Sequence, residues 1–413
     1  MFDTEKETET VVLVAVDDSN INADTGVTES LNELEELVRT AGAEVVGRLG
    51  QNRESVHPGT YIGSGKINEL AELLRETGAS GIVTDDELSP AQMKNLEDAL
   101  DCNVMDRTMV ILDIFAQHAG TSEGKLQVEL AQLRYRSSRL IGMGRAMSRL
   151  GGGIGTRGPG EKKLETDRRL IRNRIAQLNR ELEDVKKNRE VQRSQRSRSA
   201  VPVVAIVGYT NAGKSTLLNY LTNAGVLSQD KLFATLDPTT RSFRLENGQE
   251  ILLTDTVGFI RKLPHHLVDA FRSTLEEAKY SNLILHVADA SNPNADTQMH
   301  VVYDTLRRLE IGDRKVITAL NKQDIAGDAI WKDLTAERVV RISARTGQGI
   351  PELLQAIADI LSESTICLEK LYPYSEAGKL QIVRKYGRLI SEEYEADGIR
   401  IKAWIDRKWE PMC

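Results

Sequence analysis

The sequence predicts an α/β protein built from four consecutive domains. Residues 1–120 and 201–364 alternate apolar, strand-like runs with amphipathic helical segments, the pattern of a mostly parallel sheet covered by helices. Between them, residues 121–200 carry leucine and isoleucine at spacings typical of a helical hairpin. Residues 365–413 combine a short helix with a hairpin that turns at Asp397-Gly398, which predicts a small α+β domain.

Composition limits the classes of protein to which the chain can belong. It has 413 residues, 40% of them hydrophobic, which is enough for several buried cores. Its three cysteines have no disulfide or metal spacing, so a reducing compartment is expected. No apolar run approaches the roughly 20 residues of a membrane span, and the acidic N-terminus does not resemble a signal peptide. A monomeric cytoplasmic protein is expected.

The first domain is predicted to alternate strands and helices. The predicted elements are residues 11–16, 28–40, 43–49, 66–76, 81–84, 91–100, 102–106 and 109–117, beginning with a strand. The turn at 59–66 resembles a phosphate loop, but its glycine spacing is one residue too long. Ile67 also stands where Ser or Thr is required, so a turn that caps the next helix is favoured over an anion site.

The second domain is predicted to be an antiparallel helical hairpin. Its two arms carry apolar residues at helical spacing: Leu126, Leu130, Leu133 and Leu140, then Leu164, Ile171, Ile175, Leu178, Leu182 and Val185. Residues 151–160 lie between the arms, and their glycines and proline break helices. A polar linker is expected at 193–199. A loop this long is more often functional than idle, although a simple spacer remains the alternative.

The hairpin is strongly basic within an acidic protein. Residues 121–200 hold 20 Lys and Arg against 9 Asp and Glu, a net charge of +11, whereas the whole chain carries −7. Six arginines and no acidic residue lie within 132–160. A charge run is usually a solvated face, but a segment without counter-charge favours contact with a polyanion. Arginine suits phosphate better than lysine does.

The clearest chemical signal lies at residues 208–215. Their sequence fits G-x-x-x-x-G-K-[ST]: Gly208, Tyr209, Thr210, Asn211, Ala212, Gly213, Lys214 and Ser215. An apolar strand precedes the motif and a helix follows it, which is the context that a phosphate loop requires. Loop amides and the helix N-terminus would hold phosphates. Lys214 would reach the β- and γ-phosphates, and Ser215 would ligate Mg²⁺.

A second motif indicates the base. It follows the apolar strand 316–320 and fits N-K-x-D: Asn321, Lys322, Gln323 and Asp324. The Asp324 carboxylate can accept hydrogen bonds from N1–H and the 2-amino group of guanine. Adenine lacks both donors and would leave the carboxylate unpaired. A further triplet resembles the S-A-[KR] loop that backs the base: Ser343, Ala344 and Arg345. The predicted ligands are GTP and GDP.

The third motif matches D-x-x-G and ends another apolar strand. Its residues are Asp255, Thr256, Val257 and Gly258. Asp255 would hold Mg²⁺ through water, and the Gly258 N–H would sense the γ-phosphate. Because these elements occur in the expected order, each at the end of a predicted strand, residues 201–364 are predicted to form a P-loop GTPase domain.

The sequence resembles the HflX family of translational GTPases. Four stretches carry the resemblance, which spans at least residues 10–364: 152–167, 208–215, 233–241 and 255–259. The resemblance implies an Obg-like GTPase domain and binding to the large ribosomal subunit. It also implies that stalled or stressed ribosomes are separated into subunits. In the family, the loop of the helical subdomain projects toward the peptidyl-transferase centre.

The resemblance also assigns switch I. Residues that look like the Obg-type F-x-T-L motif are Phe233, Ala234, Thr235, Leu236 and Asp237. Thr235 is the implied Mg²⁺ ligand, with Thr239 and Thr240 as the rival assignment. In the hairpin, the predicted rRNA contacts are Arg145, Arg149, Gly153 and Arg157.

Two positions bear on catalysis. Phe259 follows Gly258, where many GTPases place the glutamine that orients the attacking water, and phenylalanine cannot do this. No catalytic side chain is therefore assigned. Slow GTP turnover by the isolated protein is expected, together with stimulation by a partner. The resemblance implies that this partner is the ribosome. Asn211 resembles the asparagine of K⁺-activated GTPases, but an ordinary loop asparagine is an equal alternative.

Three functions fit the residues. The first is a ribosome-regulated GTPase that acts as a remodelling switch. The second is a GTP-dependent assembly factor of the large subunit, which shares the GTPase motifs and differs from the first in the glycine-rich loop. The third is an RNA-binding, ATP-driven remodeller, for which the turn at 59–66 is the sole support.

Overall fold

The computed structural model describes residues 8–18, 26–150, 159–196, 201–222, 232–233, 239–263, 277–311, 314–327, 331–363 and 365–413. These residues divide into two compact units. One contains the described residues up to Leu182, together with Leu232, Phe233 and residues 261–263. The other contains the remaining described residues, among them the phosphate-loop motif.

The first unit begins with a four-stranded parallel sheet in the order β2-β1-β3-β4. Its elements are β1 (Thr10–Asp18), α1 (Val27–Ala41), β2 (Glu44–Arg53), α2 (Ser64–Thr77), β3 (Gly81–Thr84), α3 (Pro90–Leu100), β4 (Asn103–Asp106) and α4 (Arg107–His118). Strand β1 lies at the centre because Val11 to Val16 are all apolar and all buried. The predicted parallel α/β sheet is confirmed.

Local signals set the ends of these helices. Ser89 and Gln92 form a reciprocal capping box at the start of α3. Asp106 ends β4 and caps α4, because its side chain accepts a hydrogen bond from the Met109 amide. Helix α1 ends at Gly42 in the left-handed conformation, which glycine adopts without steric cost.

The predicted helical hairpin follows, with arms α5 (Ser122–Leu150) and α6 (Pro159–Arg196). The first unit contains the hairpin up to Leu182, and residues 183–196 of α6 are counted with the second unit. Arg174 on α6 forms a bidentate pair with Glu129 at 2.7 and 2.8 Å, and Arg168 donates to the carbonyl of Leu140. From Glu129 to Leu140 the contacts advance along α5, whereas their partners go back from Arg174 to Arg168 on α6. The two arms therefore run antiparallel.

Two details of the hairpin prediction are wrong. Pro159 and Gly160 belong to the first turn of α6 rather than to the loop, because proline is well suited to the first helical position. The expected polar linker is helical through Arg196. Residues 151–158, which hold most of the glycine-rich loop, lie outside the described residues.

The second unit contains a six-stranded sheet in the order β10-β9-β8-β5-β7-β6. It is parallel except for the edge strand β6, which pairs antiparallel with β7. Its elements are β5 (Val203–Gly208), α7 (Lys214–Thr222), β6 (Thr239–Arg244), β7 (Glu250–Asp255), β8 (Leu283–Asp289), α8 (Ala295–Arg308), β9 (Val316–Asn321), β10 (Arg338–Arg341) and α9 (Ile350–Ser362). Four of the predicted motifs each follow a parallel strand of this sheet: the phosphate loop after β5, D-x-x-G at the end of β7, N-K-x-D at the end of β9 and the S-A-R triplet after β10. These four motifs therefore meet at the carboxyl edge of the sheet.

The chain ends in a small antiparallel sheet of order β11-β13-β12 with a helix. Its elements are β11 (Thr365–Tyr372), α10 (Ala377–Tyr386), β12 (Gly387–Glu395) and β13 (Gly398–Asp406), with short 3₁₀ turns at Tyr374–Glu376 and Arg407–Met412. The predicted helix and hairpin are confirmed. Strand β11 was not predicted, because it is an edge strand that pairing with β13 defines.

Candidate functional site

The phosphate-loop motif connects β5 to α7. Gly208 and Gly213 are required there by close approach as well as by conformation. A Cβ on Gly208 would lie 2.2 Å from the carbonyl oxygen of Val287, and one on Gly213 would lie 2.2 Å from Nδ2 of Asn321. Asn211, which is exposed, holds a left-handed φ of 60°. The amides of Asn211 and Gly213 have no hydrogen-bond acceptor within the described part of the chain, so they can serve a ligand.

Lys214 lies within this loop and is 7% exposed. Its ammonium donates to the carbonyls of Gly208 and Tyr209 at 3.0 and 2.7 Å. Burial lowers the pKa of Lys214 to about 8, although the nearby carboxylate of Asp255 raises it. A poorly solvated ammonium at this position favours an anionic ligand, because phosphate oxygens would compensate its charge.

Ser215 and Asp255 form the candidate magnesium position. The Ser215 hydroxyl donates to Oδ2 of Asp255 at 2.7 Å, and Asp255 is fully buried. Hydroxyl and carboxylate oxygens are hard ligands of the kind that Mg²⁺ prefers. Thr210 is 6% exposed, and its hydroxyl has no hydrogen-bond partner among the described residues. These residues therefore fit Mg²⁺ and a phosphate ligand.

The base-reading elements are joined by hydrogen bonds. Asn321 donates from Nδ2 to the Ala212 carbonyl at 2.8 Å, and its Oδ1 accepts from the Ala344 amide at 2.8 Å. The Ser343 hydroxyl donates to Oδ1 of Asp324 at 2.7 Å. These bonds hold Asp324, which is exposed, with one oxygen engaged. The structure thus brings the N-K-x-D motif, the S-A-R triplet and the phosphate loop together.

Other members of these motifs support the backbone. The Gln323 amide donates to the Ile342 carbonyl at 3.1 Å, which links the N-K-x-D loop to the residue before Ser343. Lys322 holds a left-handed φ of 63°, and its ammonium lies 2.8 Å from Oδ2 of Asp289. Asp289 was not predicted as a site residue, although an acidic residue at the end of a buried strand was a usable signal. Arg345 is exposed.

The D-x-x-G motif and the residue after it are hydrogen-bonded to β5 and to the phosphate loop. The Thr256 hydroxyl donates to the Ile206 carbonyl at 2.8 Å, and Val257 is buried. The Phe259 amide donates to the Gly208 carbonyl at 3.0 Å, and the Phe259 carbonyl accepts from the Thr210 amide at 2.7 Å. The Phe259 side chain is 2% exposed. Its ring is therefore part of the protein interior.

The switch I assignment lies largely outside the described residues, which include none of Ala234, Thr235, Leu236 and Asp237. Phe233 is described: its ring packs edge-on against Phe115, with centroids 4.7 Å apart. The rival threonines lie in β6, and the Thr240 hydroxyl is 3.0 Å from that of Thr254.

The predicted rRNA contacts are described only in part. Arg145 and Arg149 lie in α5, but the structure does not describe their side chains, and Gly153 and Arg157 fall outside the described residues. Arg139, one of the six arginines without local counter-charge, pairs with the buried carboxylate of Asp106. The sequence count missed this partner because it lies 33 positions earlier in the chain.

The turn at 59–66 is engaged by the protein itself. The amides of Gly59 and Thr60 donate to Nδ1 of His57 at 3.2 and 3.1 Å, and the Gly63 amide donates to Oε1 of Gln51 at 2.9 Å. Gly63 is the N-cap of α2. This geometry favours the predicted capping turn over an anion site.

A charged cluster that sequence reasoning missed lies at the carboxyl edge of the first sheet. Asp85 is fully buried and accepts hydrogen bonds from Ser30 at 2.6 Å and Arg107 at 2.8 Å. Lys262 also binds Asp85 and lies 2.6 Å from Oδ1 of Asp86. Burial raises the pKa of Asp85, while Lys262 opposes this shift.

Comparisons with known protein families cover most of the chain. Three family models match in order: the GTP-binding GTPase N-terminal region at 28–116, its middle region at 118–196, and the 50S ribosome-binding GTPase domain at 203–322. Among the described residues, no helix is long and apolar enough to cross a membrane.

Similar proteins include the GTPase HflX of Lacrimispora saccharolytica, 63% identical over 96% of this chain and 93% of the relative. The GTPase HflX of Escherichia coli K12 is 45% identical over 92% of this chain and 87% of its own length. A solved structure of SsGBP in complex with GDP is 26% identical, covering 86% of this chain and 99% of that one, with a TM-score of 0.50. By its sequence and by the nucleotide-site motifs that its fold brings together, the chain belongs to the HflX family of GTPases.

Proposed function

We propose that this GTPase turns over slowly on its own, is stimulated by the large ribosomal subunit, and separates stalled or stressed ribosomes into subunits. The observation that carries the proposal is the position of Phe259. A full set of guanine-nucleotide motifs surrounds the site, yet the residue after Gly258 is a buried aromatic that cannot orient water. A partner must then complete the site.

The residues of the site are assigned roles on this proposal. Loop 208–215 binds the phosphates, with the Lys214 ammonium facing the β- and γ-phosphates. Asp324 selects guanine, while Asn321 holds the phosphate loop and the Ser343–Ala344 backbone in register. Gly258 senses the γ-phosphate through its amide.

Magnesium binding is assigned to Ser215 and Thr235, with Asp255 acting through a water ligand. When bound, Mg²⁺ neutralises charge that develops on the transferred phosphoryl oxygens. The hydrogen bond between Ser215 and Asp255 supports this assignment, because it places the two side chains beside each other. Asn211 is proposed as a K⁺ ligand, which predicts faster turnover in K⁺ than in Na⁺ buffer when ribosomes are present.

The helical hairpin is proposed to contact rRNA. Residues 121–200 carry a net charge of +11, which suits a phosphate backbone. The contacting residues are assigned as Arg145, Arg149, Gly153 and Arg157. Arg139 is set aside from this role, because it is already paired with Asp106.

The first test measures GTP turnover with and without purified large subunits. Stimulation by large subunits and none by small subunits is expected. GTP turnover that is the same with large subunits as without them would contradict the proposed partner. Gradient sedimentation then separates ribosome splitting, which shifts intact ribosomes to subunits, from an assembly role, in which the protein accumulates on precursors.

The second test replaces residues 151–160 with a short Gly-Ser link. GTP affinity should match the parent, since this segment contains none of the nucleotide motifs and precedes the phosphate loop by about fifty residues in the sequence. Ribosome splitting should fall sharply. Normal splitting by this variant would make the hairpin a spacer.

A double substitution of two arginines tests the proposed rRNA contact more specifically. Replacing Arg145 and Arg149 by Gln should lower the salt slope of subunit binding by up to about two, since each phosphate contact contributes about one. The matched control replaces Arg172 and Arg180, which are exposed on α6, and should leave the slope unchanged.

Four consecutive domains are proposed to carry these roles, with boundaries at 1–120, 121–200, 201–364 and 365–413. We further propose a monomer that acts in the cytoplasm. Sedimentation of the purified chain tests the oligomeric state.

A further inference from the structure

Strands β8 and β9 end side by side, with Asp289 paired in register to Asn321. Asn321 begins the N-K-x-D motif, whereas Asp289 lies outside the nucleotide motifs that the sequence shows. The Oδ2 atom of Asp289 is nevertheless 2.8 Å from the ammonium of Lys322. The acidic end of β8 therefore meets the second residue of the base-reading motif.

The two oxygens of the Asp289 carboxylate have different partners. Oδ1 accepts hydrogen bonds from the amide and the hydroxyl of Ser291, at 3.0 and 2.6 Å. Oδ2 faces the Lys322 ammonium. Because a local turn of this kind fixes the rotamer of the aspartate, the second oxygen is presented to Lys322 in one direction.

The residue after Asp289 is anchored through both of its backbone groups. The Ala290 amide donates to the Asn321 carbonyl at 2.9 Å, and the Ala290 carbonyl accepts from the indole of Trp331 at 2.9 Å. Trp331 packs against a small apolar cluster that contains Ala290 and Leu320. The Asp289 carboxylate is thus carried by a fixed part of the sheet, which suits it to hold another side chain in place.

Lys322 is the side chain that this support holds. Its backbone has a left-handed φ of 63°, which is strained for a residue with a Cβ. The side chain of Lys322 is 25% exposed and that of Asp289 is 13% exposed, so the ion pair is partly sheltered from solvent. A lysine stem is flexible, and fixing it before a ligand arrives removes an entropic cost from binding.

We propose that Asp289 is a positioning residue of the guanine site, and that it orders the Lys322 side chain beside the base before the nucleotide binds. Lys322 lies between Asn321, which is bonded to the phosphate loop, and Asp324, which is assigned to the base. Its ordered stem then covers the base rather than the phosphates. This inference rests on the proposed assignment of N-K-x-D as the base-reading motif.

The first test is a double-mutant cycle on GDP affinity, measured by titration calorimetry. Asp289→Asn and Lys322→Met should each weaken GDP binding by about tenfold, because either change removes the ion pair that orders the stem. If Asp289 acts through Lys322, the double variant should bind GDP no more weakly than Lys322→Met alone. A further loss of about tenfold in the double variant would overturn the proposal.

The matched control is an ion pair at the opposite edge of the same sheet. Lys315 lies just before β9 and pairs with Glu363, and both side chains are more exposed than those of the proposed pair. Lys315→Met should leave GDP affinity within about twofold of the parent. A loss in this control as large as that in Lys322→Met would remove the special role of Asp289.

A probe without a base separates positioning from a general loss of structure. Asp289→Asn should weaken GMP, GDP and a non-hydrolysable GTP analogue by the same factor, because Lys322 acts on the base that they share. Inorganic pyrophosphate engages the phosphate loop alone, so its affinity should not fall. A loss of pyrophosphate affinity equal to the loss for GDP would make Asp289 a residue of the fold only.

A conservative variant carries the test if Asp289→Asn fails to fold. Asp289→Glu keeps the charge and should weaken GDP by no more than about threefold, short of the loss in Lys322→Met. An equal loss in these two variants would overturn the proposal.

The inference and the assignment on which it rests fail in different ways. If Asp324→Asn leaves the preference for guanine unchanged, N-K-x-D is not the base-reading motif. If Asp324→Asn changes that preference and the cycle between Asp289 and Lys322 is additive, the base site stands and the positioning role of Asp289 is wrong.

Discussion

Two turns of this molecule share one layout, a glycine-containing connection from a parallel strand to a helix, and differ in what their amides bind. Between β2 and α2, the amides of Gly59, Thr60 and Gly63 donate to side chains of the same domain. Between β5 and α7, the amides of Asn211 and Gly213 have no acceptor in the described part of the chain. A strand–glycine–helix pattern therefore indicates a ligand site only where the fold leaves its donors available.

The charged groups at the two sheet edges differ in the same way. Asp85 and Asp106 are buried and bound by Arg107, Lys262 and Arg139, so their charges serve the fold. Lys214 is also buried, but its protein partners are carbonyls. Substitutions at the first edge should therefore change stability, and those at the second should change nucleotide binding.

The largest expected effect is on nucleotide affinity at Lys214. Lys214→Ala should weaken GTP and GDP by about a hundredfold or more, because charged hydrogen bonds to phosphate are lost. The matched control is Lys66→Ala in the other turn, where the lysine pairs with Glu69. Titration calorimetry should detect no change in nucleotide affinity in that control. A loss of affinity in Lys66→Ala would contradict the difference drawn between the two turns.

Asp85→Ala should lower the free energy of unfolding by about 3 kcal/mol, because Arg107 and Lys262 lose a buried carboxylate. Glu33 and Asp86 still pair with them, which limits the loss. Denaturant unfolding measures this, and Asp98→Ala, on the exposed face of α3, is the control. GTP affinity should stay within about threefold of the parent. A larger change would show that this edge also serves the nucleotide.

Asp324→Asn should lower GTP affinity by about a hundredfold and favour xanthosine nucleotides, because an amide can donate where the carboxylate accepted. Competition between GTP and XTP for a fluorescent nucleotide measures the preference. Persistent selection of GTP would remove Asp324 from the base-reading role.

The pH dependence of nucleotide binding follows from Lys214. Phosphate charges raise the pKa of this ammonium above its value of about 8 in the free protein, so binding above that pH requires uptake of a proton. Affinity should be flat below about pH 8 and fall by about tenfold by pH 9. Calorimetry in buffers of different ionisation enthalpy should detect the proton; equal heats at pH 8 would contradict the assignment.

The smallest effect is expected at the N-terminal turn. His57→Ala removes the acceptor for two amides and should cost about 1 kcal/mol of stability. Freed amides should not create a nucleotide site, because this turn lacks the lysine and hydroxyl pair of loop 208–215. The test is a double variant that carries His57→Ala together with Lys214→Ala, in which the known nucleotide site is disabled. Binding of ATP or GTP to this double variant would contradict the expectation.

The sequence by itself determined the elements whose signals are local. The apolar runs of both parallel sheets, the glycines of loop 208–215 and the Asp397-Gly398 turn each specify their own backbone, so the fold class followed from them. The order of the nucleotide motifs also placed them at one sheet edge, since each motif follows a parallel strand.

Tertiary structure alone decided which groups remain available. His57 and Gln51 engage one turn, and Asp106 engages Arg139, because long-range pairs form only when distant segments pack together. The backbone hydrogen bond from the Phe259 amide to the Gly208 carbonyl likewise joins positions about fifty residues apart. Spacing along a chain specifies local geometry, whereas hydrogen-bond and charge partners depend on which strands become neighbours in the folded sheet.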